Sequence, residues 1–287
     1  MNPPGGDWVA LLGVKGGPAI RPGSNMPTAT LVSLGGTRVL VDAGLGAARG
    51  VCDLGVSLTA LDAIVVTHLH SDHYLELGPL LHTAWTAGLD RSVPVIGPPG
   101  LADYWRHFLA AMQFDVRLRI EDEGRPELAP LADVRSLEGG QHRFGGVVVE
   151  AMRNDHPPVE DSFAVRLRSK ERTVVLSGDT APMDAMVEFA RGADLLVHEA
   201  MLVDGVDRMI AGHPSRDGRL REHIVRSHTP AHEVGRIAAE ADVKALALHH
   251  LVPDGVAGIG EADWEREVRR HYAGPLHVGT DGLVIAL

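Results

Sequence analysis

The chain has 287 residues, 45% of them hydrophobic, with 27 Lys and Arg against 38 Asp and Glu, a formal net charge of −11. That balance suits a globular protein with a sizeable core and counts against the broad basic face of a nucleic-acid binder. The single cysteine, Cys52, excludes an intramolecular disulfide and a thiolate metal cluster, and the lack of a run of about 20 apolar residues or of a secretory leader pattern points to a cytoplasmic protein without a membrane span.

In chain order, short runs rich in Val, Ile and Leu, bounded by Gly, Asp or Pro, predict strands at Trp8–Val14, Thr28–Leu34 and Arg38–Asp42. The last two form a hairpin across Gly35-Gly36. A strand at Ala63–Thr67 leads to a helix at Tyr74–Ala87, and a strand at Val93–Ile96 to a helix at Leu101–Met112. Strands at Val147–Met152, Phe163–Leu167 and Thr173–Ser177 precede a helix at Pro182–Arg191 and a strand at Leu195–His198. Asp204–Ser227, with Gly205, Gly212, Pro214 and Gly218 among many charges, reads as a surface loop or lid. The helix predicted at Pro230–Ala241 sets Ala231, Val234, Ile237 and Ala238 on one face. A strand at Val243–Leu248, a helix at Ala262–Tyr272 and a strand at Leu283–Leu287 complete the chain. A strand-rich first half and a strand–loop–helix second half predict an α/β architecture of two packed mixed sheets with helices outside. No linker-like shift in composition divides residues 1–287, which read as one domain.

Sixteen histidines are unusual, and several fall at the ends of predicted strands. In the run His68-Leu69-His70-Ser71-Asp72-His73, alternation along an extended chain points His68 and His70 the same way, toward one ion. The turn into the following helix swings Asp72 and His73 toward a second. Imidazole nitrogen and carboxylate oxygen suit zinc, iron or manganese. The glycines Gly44, Gly46 and Gly50 miss the dinucleotide-binding spacing because Arg49 stands where the third glycine belongs.

This run resembles the HxHxDH motif of the metallo-β-lactamase superfamily. The resemblance continues through Asp42, through His156 in Asn154-Asp155-His156-Pro157-Pro158, through Asp179 in Ser177-Gly178-Asp179-Thr180, and ends in Leu248-His249-His250-Leu251-Val252-Pro253. It implies a four-layer αββα sandwich and a metallohydrolase with two divalent ions, zinc foremost, with manganese or iron also compatible. Carried over residue by residue, His68, His70 and His156 would hold one ion, Asp72, His73 and His250 the other, and Asp179 would bridge them. The resemblance favours His250 over His249, and strand alternation does not decide between them. Asp42 would support the motif loop by hydrogen bonding.

Two further segments, His198-Glu199-Ala200-Met201 and Ser227-His228-Thr229-Pro230, resemble motifs of the ribonuclease Z and arylsulfatase-like branch. They imply that His228 sits over the metals as a catalytic group, oriented by Glu199; in the metallohydrolase mechanism Asp72 and Asp179 would position a metal-bridging hydroxide. That branch usually carries a long tRNA-binding arm between the segments matching His156 and Asp179. Only 23 positions separate these residues here, filled by a predicted hairpin. The expected substrate is therefore a small molecule of the ester type (phosphate, sulfate, carboxylic ester, lactone or halogenated aromatic), with nucleic acid disfavoured as a partner, no membrane expected and a homodimer left open. The alternatives are a ribonuclease Z-type tRNA 3′ endonuclease and a single-iron oxidoreductase on the same fold. Among the histidines outside the motifs, His213 and His223 stand out because they lie in the Asp204–Ser227 segment.

Overall fold

In the computed structural model, which describes residues 5–138, 140–211 and 218–287, strand β1 (Trp8–Gly13) is buried along its whole length. Its alternate residues enter different cores. Val9 and Leu11 pack between two sheets, whereas Ala10 and Leu12 pack outward against helices. A strand covered on both faces needs apolar side chains on both, which accounts for the continuous apolar run.

The first half of the chain builds most of one sheet, which the last strand completes. After β1 come β2 (Ala29–Leu34), β3 (Thr37–Val41), α1 (Ala47–Asp53), β4 (Ala63–Val65), α2 (Ser71–Tyr74), α3 (Leu77–Thr86) and β5 (Val93–Gly97). Then follow α4 (Leu101–Ala111), α5 (Gln113–Glu123) and β6 (Ala132–Ser136). The second half contributes β7 (Gln141–Phe144), β8 (Val147–Arg153), β9 (Phe163–Arg168), β10 (Thr173–Leu176), α6 (Asp184–Ala190) and β11 (Leu195–Met201). It continues with α7 (Val203–Ala211), α8 (Arg219–Ser227), α9 (Ala231–Glu240), β12 (Leu246–Val252), α10 (Glu261–Val268), β13 (Leu276–Val278) and β14 (Leu283–Ala286).

Among the described residues the strands form two seven-stranded sheets, β14-β1-β2-β3-β4-β5-β6 and β13-β12-β11-β10-β9-β8-β7. Both are mixed. Each has antiparallel pairs on one side and parallel pairs, β3 to β6 or β10 to β13, on the other. Val39, Val41 and Val65 of the first sheet meet Val149, Val165, Val174 and Val197 of the second in the central core. The outer face of the first sheet carries α1, α3 and α4 through residues such as Val51, Leu80, Trp85 and Trp105. The outer face of the second carries α6, α9 and α10 through Met186, Val234, Ile237 and Trp264. This is the four-layer αββα sandwich expected from the motifs.

Several elements differ from expectation. The segment read as a loop at Asp204–Ser227 instead holds α7 and α8, which pack on each other through Val206 and Ile224 over Met201 and Val252. Its glycines and charges mask two short amphipathic helices: Gly218, at a φ of 78°, starts α8 rather than breaking it. Positions 212–217, with His213, lie outside the described residues. The short strands β6, β7 and β13 at or beside sheet edges, and helices α1 and α5, were not predicted. Edge strands are half exposed, so their apolar pattern is weak.

Candidate metal centre

The motif residues converge where strands of the two sheets end. β3 runs into Asp42, whose φ of 61° lies in the left-handed region that Asp tolerates better than most residues. There Asp42 accepts hydrogen bonds from the Thr67 backbone N–H at 2.8 Å and from the Thr67 hydroxyl. β4 and the residues after it deliver His68, which is fully buried. The extended backbone of His70 opens α2, so Asp72 and His73 turn inward on the first helical turn.

The ligand-type atoms fall into overlapping groups. One atom each of His68, His70, His156 and Asp179 forms a cluster in which all lie within 4.8 Å of one another, and Asp72, His73 and His250 form another. Asp179 sits between them. Its Oδ2 lies 3.7 Å from His68 Nε2, 3.8 Å from His156 Nε2, 3.4 Å from His73 Nε2 and 3.1 Å from His250 Nε2. The rings of His68 and His73 are 4.0 Å apart between centroids.

The far sides of these rings are held. His73 Nδ1 lies 2.8 Å from Asp42 Oδ2, and His156 Nδ1 donates to the Ser227 carbonyl at 2.9 Å. Asp72 Oδ2 accepts from the Gly17 N–H at 2.8 Å. Fixing one ring nitrogen leaves the other, with its lone pair, aimed into the centre. Burial, helped by neighbouring imidazoles, holds His156 down at about 4 and His68 well below the ordinary histidine value, which keeps their lone pairs available. Burial acts the other way on Asp179, but His250, His73 and His68 outweigh it and keep the carboxyl ionised.

Whether the donors fit a cation can be judged from what they lack. His68 Nε2, His73 Nε2 and Asp179 Oδ1 are buried polar atoms without a hydrogen-bond partner. Buried polar atoms rarely stay unpaired, and here they face one another. Nitrogen and oxygen donors at this spacing fit divalent metal ions.

His249 and His250 point in opposite directions. Their strand pairs with β11 in register up to Glu199 opposite His249, then skips to Ala200 opposite Leu251. His250 is the extra residue of this bulge, with a φ of 43°. It faces Asp72 and Asp179, whereas His249 Nε2 lies 2.9 Å from the Gly13 carbonyl and 3.3 Å from Thr30 Oγ1. Burial holds His249 at about 3, so it stays neutral in the core.

Above the clusters, the His228 ring stacks on that of His250 at 5.3 Å and meets His156 edge-on at 5.3 Å. Its Nδ1 lies 3.0 Å from Glu199 Oε1, which also accepts from the Thr180 N–H at 2.9 Å. Burial pulls the His228 pKa down, but the Glu199 carboxylate more than compensates and raises it to about 9. Asp72, Asp179, His70, His228 and His250 line a cavity of about 340 Å³. His223 on α8, singled out in the sequence, completes its walls with a ring 6.0 Å from that of His70, together with Lys15 and Arg21, which the sequence reading missed. Lys15 carries the one sequence signal, a charge directly after an apolar strand.

A family model for the beta-lactamase superfamily domain matches residues 37–251. Ribonuclease Z of Mycolicibacterium paratuberculosis is 35% identical over 277 residues, 95% of each chain. Ribonuclease Z of Mycobacterium bovis is 34% identical over 278 residues, again 95% of each. Among solved structures, the metallo-beta-lactamase fold protein YhfI from Bacillus subtilis superimposes with a TM-score of 0.71 at 22% identity, covering 97% of this chain and 98% of that one. The short form of human tRNase Z gives 0.69 at 20%, with the same coverage.

These relatives overturn two expectations, the small-molecule ester substrate and the reading against nucleic acid as a partner. The missing arm does not support either. Relatives named ribonuclease Z match over 95% of their own length, which leaves no room in them for a long segment absent here. Net charge does not support them either, because −11 is a whole-chain sum and says nothing of a cleft walled by Lys15, Arg21 and histidines. The chain is a metal-dependent hydrolase of the metallo-β-lactamase superfamily and belongs to its ribonuclease Z branch.

Proposed function

We propose that the protein is a ribonuclease Z-type endonuclease that cleaves precursor tRNA at its 3′ side, with two divalent ions, zinc foremost, held by His68, His70 and His156, by Asp72, His73 and His250, and by Asp179 between them. The observation that carries this reading is the end-to-end match to ribonuclease Z, which extends well beyond the metal motifs to 95% of both chains. Ions held there would acidify water and neutralise charge on the phosphoryl oxygens.

The chain's own residues do the rest. Asp42 and the Ser227 carbonyl lock the rings of His73 and His156, so the donor set is organised before substrate arrives. His228, protonated below about pH 9 and held by Glu199 through Nδ1, keeps its other nitrogen for the leaving oxygen and donates a proton to it. Glu199 is itself anchored by the Thr180 N–H, so the pair is rigid where charge develops. The cleft walls of Met209, Leu220 and Ile224 limit water around the reacting phosphate.

The test is cleavage of a precursor tRNA bearing a 3′ trailer by purified, metal-replete protein, with metal counted by elemental analysis. Cutting that a chelator abolishes and zinc or manganese restores, with two ions per chain, is expected. Intact precursor alongside turnover of small esters would overturn the proposal.

A further inference from the structure

Lys15 is a buried lysine beside the metal centre, with only 3% of its surface exposed. It follows the last apolar residue of the β1 run, and its backbone is pinned on two sides. Its N–H donates to the Met26 carbonyl at 2.9 Å, and the next residue, Gly16, donates to the Leu251 carbonyl at 3.1 Å. The side chain curls back over its own loop, and Nζ donates to the Gly16 carbonyl at 2.8 Å and the Gly17 carbonyl at 3.0 Å. An ammonium has three hydrogens, so one remains. The residue lines the cavity that holds Asp72, His228 and His250.

What is missing is a carboxylate in contact with the ammonium. Among the described residues, Lys15 makes no ion pair. The nearby carboxylates are committed elsewhere: Asp254 accepts from the Asn25 backbone and side chain, and Asp72 from the Gly17 N–H. Burial pushes the ammonium pKa down, Asp254 and Asp72 resist, and Arg21 adds to the fall. A buried cation held only by backbone carbonyls, with no carboxylate in contact, is costly to keep, and this one is rigidly placed in a cleft wall. Gly16, with no room for a side chain against His250, and Gly17, with a φ of 85°, bring the loop that carries it close to the metal ligands.

We propose that Lys15 is a substrate-positioning residue whose remaining ammonium hydrogen is received by a non-bridging oxygen of an RNA phosphate on the Asp72 side of the cleft. This rests on the nuclease reading above. The site is suited to the chemistry, since a lysine acts as a compact point charge for phosphate. Its place is set by the Gly17 N–H bond to Asp72, which ties the loop beneath the ammonium to the metal centre.

The test uses metal-loaded protein and precursor tRNAs in which single linkages around the cleavage point are replaced by neutral methylphosphonate. Lys15→Met is expected to lower kcat/KM about 10- to 100-fold, mainly through KM, with metal content unchanged, and Lys15→Arg to recover most of the loss. At one linkage the neutral replacement slows the wild type but not Lys15→Met, because both remove the same contact. A purely structural lysine predicts instead that every replacement slows both proteins by the same factor. That outcome, or wild-type kinetics in Lys15→Met, overturns the proposal. Lys15→Gln gives the same readout should Lys15→Met melt early. If the wild type leaves precursor tRNA uncut, the nuclease reading fails on its own. The lysine is then judged by titrating inorganic phosphate into both proteins: binding at least about fivefold weaker in Lys15→Met supports the anion contact, and equal binding refutes it.

Discussion

The carboxylate of Asp42 lies 2.8 Å from Nδ1 of His73, on the side of the ring away from the metal centre. The same carboxylate accepts from the Thr67 backbone and hydroxyl, so one residue at the end of β3 holds both the motif loop and a ligand ring. An ionised partner on the far nitrogen fixes the tautomer and strengthens the near nitrogen as a donor.

Asp42→Asn keeps the shape and tolerates the left-handed backbone but removes the charge. Metal affinity is expected to fall by about 10- to 100-fold. Competition against a fluorescent chelator measures this directly, and an unchanged dissociation constant would show that Asp42 serves the loop alone.

The bulge at β12 gives His249 and His250 separable roles. His250→Ala is expected to lose bound metal and activity together. His249→Ala should keep its metal but lose about 1–3 kcal/mol of stability, because the Gly13 carbonyl and Thr30 hydroxyl are left buried without their partner. Elemental analysis with urea unfolding of both variants decides the matter. Metal loss in His249→Ala with retention in His250→Ala would reverse the assignment.

In the proposed mechanism His228 acts on the substrate rather than on the ions. His228→Ala is expected to lower the single-turnover rate by about 10²- to 10⁴-fold with full metal occupancy. Glu199→Gln, which weakens the hold on His228 Nδ1 but retains an acceptor, should lower it less. Equal rates in wild type and His228→Ala on precursor tRNA would remove His228 from the reaction.

A pH effect follows from His198 in β11, which is fully buried and held at about 4 by burial, against the hydrogen bond from its Nδ1 to the Glu199 carbonyl, which raises the value. The folded value lies below the unfolded value of about 6.5, so the unfolded chain takes up the proton first. The contribution to stability is therefore present above about pH 6.5 and is lost as pH falls toward 4. At pH 5 the loss is on the order of 2 kcal/mol. Guanidine unfolding at pH 7 and pH 5 should show a smaller drop for His198→Met than for wild type. Equal drops would mean His198 titrates normally.

Much of this protein can be read from local sequence. The His68–His73 run is legible because ligand chemistry demands particular side chains, His156, Asp179 and the paired Glu199 and His228 are legible through the family resemblance, and strand ends are marked by apolar runs meeting Gly, Asp or Pro. The sandwich is legible for a related reason: strands covered on both faces must be apolar throughout, and β1 to β4 and β9 to β12 largely are. Short helices such as α7 and α8 are not, since propensity is weak over nine residues and packing on Met201 and Val252 supplies the order.

Other features exist only in three dimensions. Alternation assigns faces only while a strand stays in register, so which of His249 and His250 faces Asp72 and Asp179 depended on one extra residue opposite β11. Net charge is a sum that discards position, so −11 suggested a chain averse to RNA while Lys15 and Arg21 stood in the wall of the cleft. Composition and motif pointed to the fold family and to the residues that converge at the centre; register and the spatial placement of charge, which depend on residues far apart in the chain, were decided by the tertiary structure alone.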